Sequence, residues 1–181
     1  MKILIIIILP VIYTYNTRKK LKKRQNKVKE VWIKIESLLK TRNDVIPELL
    51  ELTEKYVVDD KTLVNINDRR NNILSSKNRK DKMANSNKLT NELGQLFAIA
   101  ENYEDLKANS EFLDLQNKIH DTEDQLNKSK KKYNSLVLDY KKKINVFPSK
   151  IVAYIFKFKP VEIFEEEIEK HKNKDLEIED S

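Results

Sequence analysis

One glycine, four prolines and no cysteine in 181 residues leave this chain few ways to turn and no way to cross-link. Turns with positive φ lean on glycine, so sandwiches, barrels and doubly wound sheets, which need many of them, are excluded. The missing cysteine rules out a disulfide framework, a thiolate metal site, a thiol nucleophile and a lipoprotein cysteine. Charged residues make up 36% and the aliphatic–aromatic set 39%, the composition of long amphipathic helices in a single domain of ordinary size.

The net charge of +7 is unevenly distributed. Residues 1–16 carry only Lys2, whereas residues 162–181 hold nine acids against three lysines, leaving +12 on the 145 between. Much of that excess is one run of Arg18, Lys19, Lys20, Lys22, Lys23, Arg24, Lys27 and Lys29, with no acid before Glu30. An apolar end, a basic collar and an acidic tail give the chain a direction.

The apolar end is Ile3, Leu4, Ile5, Ile6, Ile7, Ile8, Leu9, Val11 and Ile12, interrupted by Pro10 and closed by Tyr13 and Tyr15. As a helix it is about 20 Å long against roughly 30 Å of hydrocarbon, short for a span and close to a signal-peptide core. Small residues for a cleavage site are missing between Tyr13 and Arg18, and the basic cluster lies on the wrong side for a signal. The expectation is an uncleaved N-terminal transmembrane helix over 1–16. The Lys/Arg bias then puts the short N-terminus outside and the body in the cytoplasm, a single-pass protein of the cell membrane.

Over 17–148 the pattern is helical. Val28, Trp32, Ile35, Leu39, Arg42, Ile46, Leu49, Thr53 and Tyr56 follow alternating spacings of four and three, widened by Val31, Leu38, Val45 and Leu52. This predicts a helix from Thr17 to Val58, starting there or as a continuation of the apolar end, with Pro47 as a kink or new first turn, followed by a turn at Asp59–Asp60–Lys61. A second helix over Lys61–Ser75 buries Leu63, Ile66, Ile73 and Leu74, and Ser75–Asn78 is a loop. A third, over Lys80–Asn102, carries Leu89, Leu93, Leu96 and Phe97, with Gly94 inside it as a point of close helix approach. In a fourth, over Asp105–Phe147, Phe112, Ile119, Leu126, Tyr133, Tyr140 and Phe147 recur every seventh residue beside Leu115, Thr122, Ser129, Leu136 and Ile144. The expected fold is all-α: the N-terminal transmembrane helix, then an antiparallel helical bundle of two long and two shorter helices.

Two segments remain. In 149–160, Ile151, Tyr154, Ile155, Phe156 and Phe158 are edged by lysines, which suits either a membrane-interface contact or a cover for the open end of the bundle. Equal lengths of the first and last long helices would return Phe147 to the level of Thr17, beside the membrane. Residues 161–181 are an acidic, flexible tail.

A family resemblance rests on three stretches taken in order. TYNTRKKLKKRQNKVKEVWIKIESLLKTRNDVIPELLELTEKY, directly after an apolar N-terminus, resembles the opening of LemA family proteins. ELGQLFAIAENYEDLKANSEFLDLQNKIHDTEDQLNKSKKKYNSLVLDY continues it, with LKAN, FLDLQ, TE and YN placed as in that family. INVFPSKIVAYIFKF is similar to the family's FPSN and F-G-F ending. Departures are Glu104 for the usual proline, Lys150 for the Asn after Phe-Pro-Ser, and Lys157 for a Gly. The resemblance implies a membrane protein with one N-terminal span and a helical-bundle domain. It implies no catalytic activity, so no functional residues are carried over.

Chemistry-bearing motifs are few. Arg18, Lys19, Lys20, Lys22, Lys23 and Arg24 can contact anionic lipid, each near-surface cation contributing about 1 kcal/mol. Nucleic-acid binding is not expected, because the collar lacks interleaved aromatics and any recognition motif. His120, near Glu123 and Asp124, lacks a further ligand for a metal, and the carboxylates read as standing outside the apolar stripes. No P-loop, dinucleotide fingerprint, nucleophile elbow or zinc-protease motif occurs. The expectation is a non-enzymatic membrane scaffold or interaction module without cofactor, metal or small-molecule substrate. Its partners are membrane lipids and a protein or a second copy; the alternative is a peripheral regulator that binds nucleic acid or a signalling protein through 18–29.

Overall fold

The computed structural model describes residues 2–57 and 60–164, with side chains described over 8–57 and 61–164. Among these are six helices and no strand: α1 Lys2–Glu54, α2 Asp60–Ser75, α3 Arg79–Ala100, α4 Glu104–Lys107, α5 Ser110–Asn145 and α6 Ser149–Ile155. The all-α class is as the composition predicts. The turn residue Asp59 and the acidic tail from 165 onward, with His171, lie outside the described residues.

The division into helices differs from expectation in three places. First, α1 ends at Glu54, short of Val58; at its other end it continues unbroken from Lys2, the continuation of the apolar end that the sequence left open. Second, the helix predicted over Asp105–Phe147 is divided. Asn109 Oδ1 accepts from the backbone N–H groups of Glu111 (2.9 Å) and Phe112 (3.1 Å), a side-chain cap that separates α4 from α5. Third, α5 stops at Asn145, leaving Phe147 76% exposed outside it rather than in the heptad core.

Pro47 stays inside α1, and its structural cost is met from α2. The residue four positions earlier is Asn43, whose carbonyl a helical N–H at 47 would have bonded. Arg70 Nε donates to that carbonyl instead, at 2.9 Å. Asn78 does for α3 what a glycine-poor chain requires. Its Oδ1 accepts from the N–H of Asp81 at 2.8 Å and its amide donates back to the Asp81 carboxylate. Gly94 is exposed, and a Cβ built on it meets nothing within 4 Å, so the expected close approach is not made there. Leu74, expected inside, is also exposed.

The chain separates into two compact units, one of Met1–Lys40 with Asp124–Ile163 and one built on Thr41–Glu123. In the first, the buried side chains of α1 (Leu21, Val28, Trp32, Ile35, Leu39) and α5 (Leu126, Tyr133, Val137, Tyr140, Ile144) form the core. Trp32 and Tyr133 meet at 5.6 Å between ring centroids, and Arg24 Nε donates to Asp139 at 2.7 Å. As α1 numbers rise, their α5 partners fall, so the two helices run antiparallel there. Burying each large apolar side chain contributes about 1.5–3 kcal/mol.

Along α5 the heptad holds at Phe112, Ile119, Leu126, Tyr133 and Tyr140, but Val137 is fully buried where Leu136 was expected. A helix of 3.6 residues per turn drifts about 20° per heptad, nearly one residue's rotation after four heptads. In the second unit, Arg69 Nε of α2 donates to Glu92 of α3 at 3.2 Å, and Phe97 meets Phe112 edge-on at 6.2 Å. Leu63, Ile66, Ile73, Leu89, Leu93 and Leu96 are buried as predicted.

Candidate functional site

No helix among the described residues is long and apolar enough to cross a membrane. Length explains this: the apolar run ends at Tyr15, and Arg18, Lys19 and Lys20 follow before a spanning length is reached. The expected transmembrane helix is therefore not supported as a span. What α1 does present is a bare apolar end, with Ile8, Leu9, Val11, Ile12, Tyr13 and Tyr15 each 43–65% exposed. Ile3, Leu4, Ile5, Ile6 and Ile7 continue that helix, their side chains outside the described ones.

Past the bare end, the helical repeat sorts the basic collar by face. Leu21 and Val28 point into the core, while Arg18, Lys19, Lys22, Lys23 and Lys27 line a groove of about 920 Å³. Its other wall is the segment after α6, with Phe156, Lys157 and Phe158. Of the six cations expected to contact lipid, four line this groove. Lys20 stands outside it, and Arg24 is engaged with Asp139. The Arg18 guanidinium lies over the Phe156 ring, 4.6 Å from its centroid, a cation–π contact that joins the two walls.

The α6 segment has a buried and an exposed side. Val152 and Ala153 are buried, whereas Ile151, Tyr154, Ile155 and Phe156 are exposed and Phe158 is half-buried. The C-terminus of α6 closes as a Schellman motif: the Phe158 N–H bonds the Ala153 carbonyl (2.9 Å) and the Lys157 N–H that of Tyr154 (3.2 Å). That motif requires a left-handed residue, and Lys157 takes it with φ 54°. Lys157 thus holds a backbone conformation that suits glycine.

Beyond α6 the chain lies along α5. Tyr140 Oη donates to the carbonyl of Lys159 (3.0 Å) and Tyr133 Oη to that of Glu162 (3.1 Å). Seven helical residues rise about 10.5 Å and three extended residues about 10 Å, so the two hydroxyls fit the strap's repeat. Burial pushes the Tyr140 phenol above its ordinary value, so it holds its proton to higher pH.

The sequence reading misses a second polar feature, in the other unit. Arg42 sits in the apolar stripe of α1 and is fully buried. Its guanidinium donates to Glu123 Oε2 of α5 (2.5 Å) and to Thr90 Oγ1 and Ser86 Oγ of α3 (both 3.1 Å). Thr90 Oγ1 lies 2.9 Å from Glu123 Oε1 and 3.0 Å from the Ser86 carbonyl, and its single proton goes to one of them. Burial pulls the guanidinium below the usual arginine value, and the Glu123 carboxylate opposes that pull. Glu123, read as an exposed carboxylate, is therefore the counter-ion of a core cation, its side chain 15% exposed. The available signal was Arg42 itself, the one charge in an otherwise apolar four-three spacing. His120 is exposed, and no group of three metal-ligating side chains stands together among the described residues.

Comparison with known proteins gives one relationship. The model of the LemA family matches residues 31–179, most of the chain. No curated protein sequence matches the chain.

Proposed function

We propose that this chain, which belongs to the LemA family, is a membrane-attached, non-enzymatic helical scaffold. Its body would lie at the cytoplasmic face and present surfaces to a protein partner or to copies of itself. The observation that carries the reading is the bare apolar end of α1, continuous with the helix that anchors the core of the body. Exposed isoleucines and leucines in a row are stabilised in a bilayer by about 25 cal/mol per Å² removed from water. The aliphatic hydroxyl of Thr14 is already engaged, donating to the Pro10 carbonyl at 2.6 Å, as a lipid environment demands. An apolar run of about 20 Å reaches roughly two-thirds of the way through the hydrocarbon and needs a thinned bilayer to go further. The basic collar holds the following turns on the cytoplasmic side.

The non-enzymatic part of the reading draws on the use made of the buried polar groups: Arg42, Ser86, Thr90 and Glu123 are occupied with one another. Resistance of the membrane-bound chain to alkaline carbonate, lost in a Leu9→Lys/Ile12→Lys variant, is the expected result. Proteolysis of inverted and right-side-out vesicles reads the orientation. A body digested only from the outside contradicts it.

A further inference from the structure

The groove of the first unit unites two features far apart in sequence, the cationic turns of α1 and the chain that follows α6. Building on the membrane-attached reading above, we propose that this groove binds the phosphate-bearing headgroup of an anionic phospholipid, as a second membrane contact beside the inserted helix end. Charge is the first argument. Six cations line the groove (Arg18, Lys19, Lys22, Lys23, Lys27 and Lys157) against the single carboxylate of Glu30. Such a concave cationic surface concentrates anions and orients them.

Position is the second argument. Arg18 stands three residues past Tyr15, about 4–5 Å along the helix axis, so the groove opens where the apolar run ends. With that run inserted, its mouth lies at headgroup depth. The Arg18–Phe156 contact holds the end of α6 at the same level. There Tyr154, 87% exposed, and the exposed Ile151 and Ile155 offer an apolar edge beside the cations. A phospholipid presents the same pair of chemistries, phosphate above and hydrocarbon below. Single-stranded nucleic acid would need a row of stacking faces along the groove; of Tyr15, Phe156 and Phe158, the Phe156 ring already carries Arg18 on one face.

The third argument is Lys157. It occupies a left-handed backbone position, φ 54°, where glycine is the better fit. A lysine there adds a cation to the groove wall at the position a glycine would make more stable. This separates binding from folding: Lys157→Gly removes the charge and relieves the backbone.

The test uses the full chain with Tyr154→Cys carrying a fluorophore, a single-site label because the chain has no other cysteine. Vesicles of phosphatidylcholine, with or without phosphatidylglycerol, carry a lipid quencher, and flotation records insertion separately from quenching. The expected result is quenching that depends on phosphatidylglycerol. Each surface cation counts for about fivefold, so Lys22→Gln/Lys157→Gly should lower the ratio of docked to undocked chain about thirtyfold. Lys20→Gln/Lys29→Gln removes the same charge outside the groove and should change that ratio far less, while the Lys157→Gly melting temperature is unchanged or raised. Equal losses from the two pairs overturn the groove, as does a chain that floats without phosphatidylglycerol-dependent quenching. So do saturable binding of inorganic phosphate that lipid does not displace, and tighter binding of single-stranded RNA than of anionic vesicles. A chain that ignores neutral vesicles but docks on anionic ones keeps the groove and overturns the anchor. Failure on both overturns both.

Discussion

Replacing Glu123 by leucine should damage this fold more than replacing its partner Arg42 by methionine, although both break the same pair. Arg42 is fully buried, and Glu123, 15% exposed, can turn its carboxylate to water. Without Glu123 the guanidinium keeps only the neutral oxygens of Thr90 and Ser86, and its Nε already has no partner. Stranding a buried charge costs about 3–5 kcal/mol. Without Arg42 the carboxylate hydrates and keeps Thr90, so the loss is about 1–2 kcal/mol. Removing both restores an apolar contact between α1 and α5, which falls anywhere from neutral to about 1–4 kcal/mol more stable than the pair. Urea unfolding of the detergent-solubilised chain, followed by helical circular dichroism, measures all three. In a parallel thermal melt the Glu123→Leu loss should appear as a drop in Tm of roughly 6–20 °C, at about 2–4 °C per kcal/mol for a chain of this length. Equal single losses that add in the double variant would refute the coupling.

Gly94→Ala should raise stability by about 1 kcal/mol, because the position is helical, exposed and open to a Cβ; a loss in thermal melting would show an unseen contact there. Pro47→Ala restores the N–H that can bond the Asn43 carbonyl, so Arg70→Ala should cost about 1–2 kcal/mol in the native background and distinctly less beside Pro47→Ala. Additive losses in that cycle would separate the two residues. Tyr140 has its folded pKa raised, so its contribution is fully present below the unfolded value of about 10 and is lost as pH rises through that region. The native chain should therefore lose Tm across that window more steeply than Tyr140→Phe, and equal slopes would contradict the assignment.

The helices were legible because their periodicity is strong. The spacing of Trp32, Ile35, Leu39, Ile46 and Leu49 marks a buried face that the structure keeps residue for residue. Boundaries were less so. The break at Asn109 depends on one side chain choosing to cap rather than continue, a competition that apolar spacing does not record. Leu136 gave way to Val137 because a fixed seven-residue count ignores the drift of a 3.6-residue turn. Lone residues misled in both directions: Gly94 suggested close packing and faces open space, whereas Arg42 passed as one position of a stripe and proves to organise a polar core. Both walls of the groove were read from sequence, and helix lengths brought them to one level without joining them. That Arg18 and Phe156 touch is tertiary, and only the folded chain shows it.

Membrane attachment through the bare end of α1 is tested most directly by depth. Nitroxide labels at Ile12→Cys and Ile8→Cys in the vesicle-bound chain report contact with oxygen, which partitions into lipid, and with a water-soluble nickel complex. Four helical residues rise about 6 Å, so the label at 8 should lie that much deeper than the label at 12, both preferring oxygen. Equal access of both labels to nickel would leave the apolar end in water and contradict the account.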